Sequence, residues 1–242
     1  MNRILPLTLV VAAACTRFPG RPPANSEAVR PDAVTAFEPL YRANCAGCHG
    51  ENGRGGAAAA LADPLYLAIA DDATIRRVVK SGVPGTAMPA FAREAGGMLT
   101  QQQVDALVAG IRQRWARPDS VRDVYAPPYS APSREGDPKR GAAVYQTYCA
   151  SCHGAGGRGG EKAGSVVDGS FLALVSNQSL RTMVIVGRPD LGAPDFRGNL
   201  RDRAMSPDEV SDVVAWLSAQ RAPVAQPHPA AAQAGRIEGG GQ

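Results

Sequence analysis

Two short segments of the sequence combine cysteine and histidine in the same spacing, Cys45–His49 and Cys149–His153. In each, two cysteines stand three positions apart, so they face the same way on a helical turn and can form thioether bonds to the two vinyl groups of one haem. The histidine that follows then lies under the porphyrin, where its imidazole can bind the iron as proximal ligand. The sequence therefore predicts two covalently attached haems (iron), held by Cys45, Cys48, His49, Cys149, Cys152 and His153.

Other roles for paired cysteines explain less of the pattern. A thioredoxin-like redox pair needs an α/β context, which the sequence lacks. Four thiolates can bind zinc, but zinc does not require a histidine directly after each pair. Disulfides are possible in an exported protein, but two such closely spaced pairs would be unusual.

The two motifs belong to an internal repeat. The segment 41–50 returns as 145–154 at an offset of 104 residues, and the offset drifts only to 106 by the end of the repeat. This order indicates a tandem duplication of one module, hence two similar domains rather than a solenoid. We predict a first module at 31–117, a proline-rich linker at 118–136 and a second module at 137–221.

The periodic segments within each module are helical. A first helix leads into each cysteine motif, and Pro39 predicts a broken or late start in the first copy. Middle helices are expected to begin near Thr74 and Ser179. The closing helices follow the N-caps Thr100 and Ser206, the second with a capping box. Since no segment alternates as a strand does, the predicted fold class is all-α.

Both modules resemble the class I c-type cytochrome family. The shared features are the Cys-x-x-Cys-His motif near the module start, Met88-Pro89 in a Gly/Pro loop and a closing amphipathic helix. The resemblance implies two tandem cytochrome c-like domains, each with three or more helices around a haem that has one exposed edge. It also implies that Met88, 39 residues after His49, is the distal ligand of the first iron.

The second module departs from the family pattern at its distal ligand. Aligning Gly187-Arg188-Pro189 with Gly82-Val83-Pro84 places Ala193 opposite Met88, and alanine cannot bind iron. Met205 is the first candidate for the second iron, although it matches Leu99 and then serves as a packing residue before the last helix.

Two further possibilities remain for the second iron. Its sixth position is either open or filled by water, or it is bound by the spare His228; Met183 is expected in the core. Asp190 and Asp195, near the loop, are interpreted as surface charges.

Other residues repeated between the copies have simpler roles. Tyr41 and Tyr145 are expected to pack the first helix against the closing helix. Arg54 and Arg158, in the loops after the histidines, either pair with haem propionates or carry solvated charges.

The N-terminal residues are typical of an export signal. Arg3 precedes the apolar stretch 4–14, which is too short to span a bilayer, and small residues precede Cys15. The pattern predicts a lipoprotein signal at 1–15 with lipidation at Cys15, and the alternative is an ordinary cleaved signal. A tether at 16–30 and a disordered tail at 222–242 are also predicted.

The predicted function is single-electron transfer in a respiratory or related chain. The protein would lie on the periplasmic side of a bacterial membrane, anchored by lipid, with redox partners such as a membrane quinol-oxidising complex or a terminal oxidase. The net charge of +4 forms no basic block, which argues against nucleic acid. The alternative is a haem enzyme or small-molecule sensor that uses an open distal site on the second haem.

Overall fold

A computed structural model describes residues 29–198, 200 and 203–221. Among the described residues, those up to Val34 and those from Thr35 onward belong to separate units. The described part of the first unit contains one 3-10 turn, Pro31–Ala33. The predicted export signal with Cys15, almost all of the tether, and the tail with His228 lie outside the described residues.

Helices account for the regular structure of both modules. Those of the first module are α1 (Phe37–Asn44), α2 (Ala46–His49), α3 (Pro64–Ile69), α4 (Asp72–Ser81) and α5 (Gln101–Trp115). Those of the second are α6 (Pro138–Tyr148), α7 (Ala150–His153), α8 (Gly169–Ala173), α9 (Asn177–Val186) and α10 (Pro207–Ala219). Across the described residues the only extended pairings are two isolated bridges, Ala92 with Leu99 and Arg188 with Ala193. The all-α prediction is confirmed.

Polar side chains fix where the middle and closing helices begin. The backbone N–H of Gln103 donates to the Thr100 hydroxyl, and the Gln103 side chain accepts from the Thr100 N–H, which completes a capping box. Ser206 and Glu209 form the predicted box before α10. The middle helices begin two residues before their predicted starts, because Asp71 and Ser176 are the N-caps.

Pro39 delays the first helix without breaking it. Helix α1 begins at Phe37, whereas α6 begins at Pro138, directly after its N-cap Asp137. Pro39 is therefore the third residue of α1, in the first turn, where backbone N–H groups have no partner within the helix. Losing that N–H costs no hydrogen bond.

The first and last helices of each module cross at a glycine. In the first module the Phe37 ring lies over Gly110, and a Cβ on this glycine would stand 2.1 Å from the ring. In the second module the glycine is on the first helix instead, and a Cβ on Gly141 would stand 2.0 Å from the Asp212 carbonyl oxygen and 2.8 Å from the Trp216 Cβ. A ring therefore fills the crossing in the first module, whereas in the second the glycine lets the two helix backbones approach each other more closely.

An arginine from the end of each module ties the short third helix to the rest. Arg112 donates to the carbonyls of Leu67 and Ala70. Arg221 donates to the carbonyls of Leu172 and Val175, which are the repeat equivalents of those two residues. The arginines themselves are not equivalent by the repeat, so the same contacts are made from different positions on the chain.

The predicted linker packs against the second module. Pro127 is fully buried, and the carbonyl of Pro128 accepts from the Arg181 side chain, which is 2% exposed. In the first module the equivalent Arg76 pairs with Asp105 at 2.8 Å. Ser211 takes the place of that aspartate, so linker carbonyls supply the acceptors that the buried guanidinium needs.

Candidate functional site

Each cysteine motif continues directly from the first helix of its module. The backbone N–H groups of Cys45 and Cys149 donate to the carbonyls of Tyr41 and Tyr145, each at 2.8 Å. The next turn is the short helix α2 or α7, and it carries the second cysteine and the histidine. Sequence spacing alone therefore places the three side chains of each motif on one turn.

The four cysteines of the described chain form no disulfide. Within the same residues, no group of three or more His, Cys, Asp or Glu side chains is placed to hold a metal ion. Burial, and to a smaller extent the neighbouring thiol, raises the pKa of Cys45 and of Cys149 to about 11.

The two histidines have the same orientation in the two modules. Nδ1 of His49 lies 2.8 Å from the carbonyl oxygen of Ala59, and Nδ1 of His153 lies 2.8 Å from that of Gly164. A carbonyl can only accept, so Nδ1 carries the proton and the lone pair is on Nε2. This is the second-shell contact that orients a metal-binding imidazole, and it leaves Nε2 free to bind iron.

The electrostatics around His49 involve both modules. Burial lowers the pKa of His49, and the hydrogen bond to Ala59 opposes this change. The positive charge of Arg188, from the second module, lowers the pKa further. Arg188 therefore lies close enough to His49 for its charge to act there.

A glycine turn follows each histidine. Gly50 and Gly154 have φ angles of 79° and 74°, and a Cβ on Gly50 would fall 1.8 Å from the Arg54 carbonyl oxygen. The carbonyls of these glycines accept from the hydroxyls of Tyr41 at 2.8 Å and Tyr145 at 2.7 Å. Both tyrosines are buried as expected, and each also ties the first helix to the turn after the histidine.

The loops that contain Met88 and Ala193 are structurally equivalent. We call residues 82–91 and 187–196 the distal loops. The Val83 N–H donates to the carbonyl of Met88 at 3.0 Å, and the Arg188 N–H donates to that of Ala193 at 3.0 Å. Met88 and Ala193 thus occupy the same place, where the first loop offers a thioether and the second offers only a methyl group.

Met205 occupies the place of Leu99, outside the distal loop. Its backbone N–H donates to the carbonyl of Phe196 at 2.9 Å, as the Leu99 N–H does to the carbonyl of Phe91 at 2.7 Å. The two side chains are 6% and 5% exposed. This position matches the packing role that was the alternative for Met205. Met183 packs against a core cluster that includes Leu180.

One buried polar atom lacks a partner in the described protein. The hydroxyl of Tyr148, directly before Cys149, makes no hydrogen bond. Its ring lies against Gly198 and under the Arg203 guanidinium, 5.7 Å from the ring centroid. A buried hydroxyl without a partner is costly. The residues that border this ring adjoin positions 199, 201 and 202, which lie outside the described part of the chain.

Three charged residues of the loops, Arg54, Asp190 and Asp195, have hydrogen-bond partners within the protein. Arg54 donates to the carbonyl of Ala62 at 2.7 Å, and Arg158 is exposed. Asp190 lies at the surface as expected, but its side chain is only 9% exposed because it pairs with Arg188 at 2.9 Å. Asp195 pairs with Arg197 and its side chain is 14% exposed. Sequence patterns contained no signal for these pairings.

Comparison with known proteins places the chain in a family. The model of the family "Cytochrome C oxidase, cbb3-type, subunit III" matches residues 32–109 and 136–217, together well over half of the chain. The chain belongs to this family. Each matched segment contains one Cys-x-x-Cys-His motif, and the pair indicates two covalently bound c-type haems with iron.

Curated relatives are respiratory subunits. A cbb3-type cytochrome c oxidase subunit CcoP from Azospirillum sp. (strain B510) is 31% identical over 148 residues, which cover 57% of this chain and 44% of that protein. A cytochrome bc1 complex cytochrome c subunit from Mycobacterium tuberculosis (strain ATCC 25618 / H37Rv) is 25% identical over 183 residues, covering 74% of this chain and 60% of that protein. The chain thus spans about half the length of these curated relatives.

One solved structure has limited similarity to this chain. A chain of the Kuenenia stuttgartiensis reducing HAO-like protein complex superimposes with a TM-score of 0.45 at 18% identity, over 77% of this chain and 96% of that one. In the described part of this chain, no helix has the length and apolar character needed to cross a membrane.

Proposed function

We propose that this chain carries single electrons between redox proteins of a respiratory chain through its two haems. In this proposal Cys45, Cys48 and His49 hold the first haem, with Met88 as its distal ligand. The second haem is held by Cys149, Cys152 and His153. The iron of each bound haem supplies a centre that gains and loses one electron.

The observation that carries the proposal is the matched orientation of the two histidines. Each imidazole is fixed by one hydrogen bond from Nδ1 to a backbone carbonyl, and each is followed by a glycine turn that a tyrosine hydroxyl holds. Such fixed ligands need little rearrangement when the charge on a bound metal changes. Retention of this arrangement in both copies supports an electron-carrying role for both.

Partners and location are proposed from the similarity to respiratory subunits. Those relatives are subunits of a cbb3-type oxidase and of a cytochrome bc1 complex, so we infer that this chain exchanges electrons with proteins of a membrane complex. We also propose export and attachment to the membrane through lipidated Cys15. Loss of membrane association in Cys15→Ala supports the anchor, and unchanged retention in the membrane fraction contradicts it.

Ala193 favours a second candidate function. It stands where the first distal loop carries Met88, and Met205 lies in the place of a packing leucine. A second iron without a protein ligand on its distal side would bind small molecules, and the module would then act as an enzyme or a sensor. Asp190 and Asp195 are engaged in ion pairs, so neither is a ready proton donor for such chemistry.

Spectroscopy of the haem-loaded protein tests both functions. We expect two haems per chain by the pyridine haemochrome assay, and one haem or none would overturn the proposal. Magnetic circular dichroism of the wild type and of Met205→Leu then identifies the distal ligands. Two low-spin signals, one lost in the variant, assign Met205 to the second iron. One high-spin signal in both proteins, together with carbon monoxide binding after reduction, favours the second candidate.

A further inference from the structure

The second distal loop carries charges that the first loop lacks. Arg188 and Asp190 stand where the first loop has Val83 and Gly85. Within the loop, the Arg188 guanidinium donates to both carboxylate oxygens of Asp190, at 3.0 and 2.9 Å. The side chains are 15% and 9% exposed, so the two charged groups are shielded from water by each other and by their neighbours, although Asp190 itself lies at the surface.

This pair also bonds to the first module. The backbone N–H of Gly55 donates to Oδ2 of Asp190 at 2.8 Å, and Nη2 of Arg188 donates to the carbonyl of Gly56 at 2.8 Å. One member of the pair accepts from the first module and the other donates to it. The contact with the first module therefore requires both the carboxylate of Asp190 and the guanidinium of Arg188. At the equivalent positions of the first loop, Val83 and Gly85 have no side-chain group that could make these bonds.

The contacted residues lie against the first haem-binding motif. A Cβ on Gly56 would fall 2.2 Å from the Cys48 carbonyl oxygen and 2.6 Å from the backbone nitrogen of Gly50. Arg188 thus reaches, through the Gly56 carbonyl, the backbone that immediately flanks His49. Only Gly56 therefore separates the Arg188 guanidinium from the first haem-binding motif.

The first distal loop makes a contact in the opposite direction. The backbone N–H of Ala87, next to Met88, donates to the carbonyl of Leu174 in the second module at 3.2 Å. The distal loop of each module therefore bonds to the other module. The segments that form this interface flank the two haem-binding sites. The geometry of the interface therefore determines where one site lies relative to the other.

We propose that Arg188 and Asp190 form a clamp that positions the two haem sites for electron transfer within one chain and sets the charge around the first haem. The clamp rests on the proposed electron-transfer function. Both residues act as positioning residues, because they reach the first site through Gly55 and Gly56. In this proposal, the loop that carries Ala193 in place of a distal methionine is part of the contact that holds the two modules together.

The two charges have opposite effects on the first haem. A positive charge nearby disfavours the oxidised iron, which carries one more positive charge, whereas a negative charge favours it. In the wild type the two charges largely cancel. Asp190→Asn leaves Arg188 without its counter-charge and should raise the reduction potential of the first haem, whereas Arg188→Gln leaves Asp190 and should lower it.

The test uses the full-length, haem-loaded chain. Hydrogen bonds to charged groups of this kind correspond to about 10- to 100-fold in an equilibrium. We expect each variant to shift the docked population by that order, with slower electron transfer between the haems after flash reduction. Small-angle scattering should show a larger radius of gyration. Asp119→Asn is the control, because it removes a carboxylate from the exposed pair that Asp119 forms with Arg122 in the linker.

The outcomes separate the clamp from the proposed function. Potential shifts of opposite sign, with slower transfer in both clamp variants and no change in the control, establish the clamp. Shifts of the same sign, or wild-type rates and dimensions in both variants, overturn it. If the wild type itself transfers no electrons between its haems, the proposed function fails, whereas normal transfer in every variant overturns only the clamp.

Discussion

The carboxylate of Asp212 is predicted to hold the second module together. It lies on α10, its side chain is 6% exposed, and it accepts from the backbone N–H of Asp137 at 2.7 Å and from Nε of Arg140 at 2.8 Å. Arg134 from the linker donates to it at 3.1 Å. Asp212→Asn keeps one acceptor oxygen but removes the charge and turns an amide donor toward these donors.

The expected cost follows from those contacts. A hydrogen bond to a charged group contributes about 1.5–3 kcal/mol. The side chains of Arg140 and Arg134 are 54% and 41% exposed, so water replaces part of what each loses. We therefore expect Asp212→Asn to lower the free energy of unfolding of the second module by about 2 kcal/mol.

Urea denaturation of the haem-loaded protein, followed by far-UV circular dichroism and by haem absorbance, measures this loss. Asp105→Asn is the matched control, because Asp105 pairs with Arg76 at similar distance while both side chains are more than a third exposed. Exposed pairs contribute about 0.2–1 kcal/mol, so the control should change little. A loss in Asp212→Asn no greater than that in Asp105→Asn would refute the reasoning.

The Asp212 carboxylate should also make the stability of the second module depend on pH. Burial raises the pKa of Asp212, but hydrogen bonds from Arg140 and from the Asp137 N–H outweigh burial and leave the pKa below its ordinary value of 3.8. A depressed pKa in the folded state means that the stabilisation is present above the ordinary pKa and is lost as the pH falls through the folded value. Acid titration of stability should therefore be steeper below about pH 4 in the wild type than in Asp212→Asn.

Three further substitutions test the packing and the first site. Gly141→Ala places a Cβ 2.0 Å from the Asp212 carbonyl oxygen, so thermal unfolding should show a loss of about 1–3 kcal/mol, whereas Gly169→Ala, with open space at its Cβ, should not destabilise. Tyr145→Phe removes the 2.7 Å bond to Gly154 and should cost about 1 kcal/mol in the same assay. Met88→Leu should lower the potential of the first haem and abolish its thioether signature in magnetic circular dichroism; an unchanged spectrum would reject Met88 as a ligand.

Much of the scaffold could be predicted because its determinants are local. Ser206, Pro207 and Glu209 specify a helix start through contacts within one turn, and the structure has the same capping box. The spacing of cysteine and histidine in each motif likewise places three side chains on one helical turn. The repeat then transfers each local inference from one module to the other, including the equivalence of Met88 and Ala193.

Contacts between distant residues could not be predicted in this way. Asp190 and Gly55 are 135 positions apart, and the same loop composition is compatible with a solvated charge. The exchange of Phe37 over Gly110 for Gly141 beside Trp216 involves residues that look unrelated in each copy. Only the packing of the first helix against the last shows that the Phe37 ring covers Gly110 in one module, whereas Gly141 meets the backbone of the closing helix in the other.

The differences between the two copies are concentrated on the distal side. Around the histidines the modules share the same hydrogen bonds to within about 0.1 Å, from the imidazole to a carbonyl and from the tyrosine to the glycine turn. The distal loops keep the same backbone bonds, yet one presents Met88 whereas the other presents Ala193 and the Arg188–Asp190 pair. A loop with a conserved backbone can change its side chains without altering the fold. Divergence after duplication has therefore been able to give the second loop a docking role while the proximal side of both sites stayed constant.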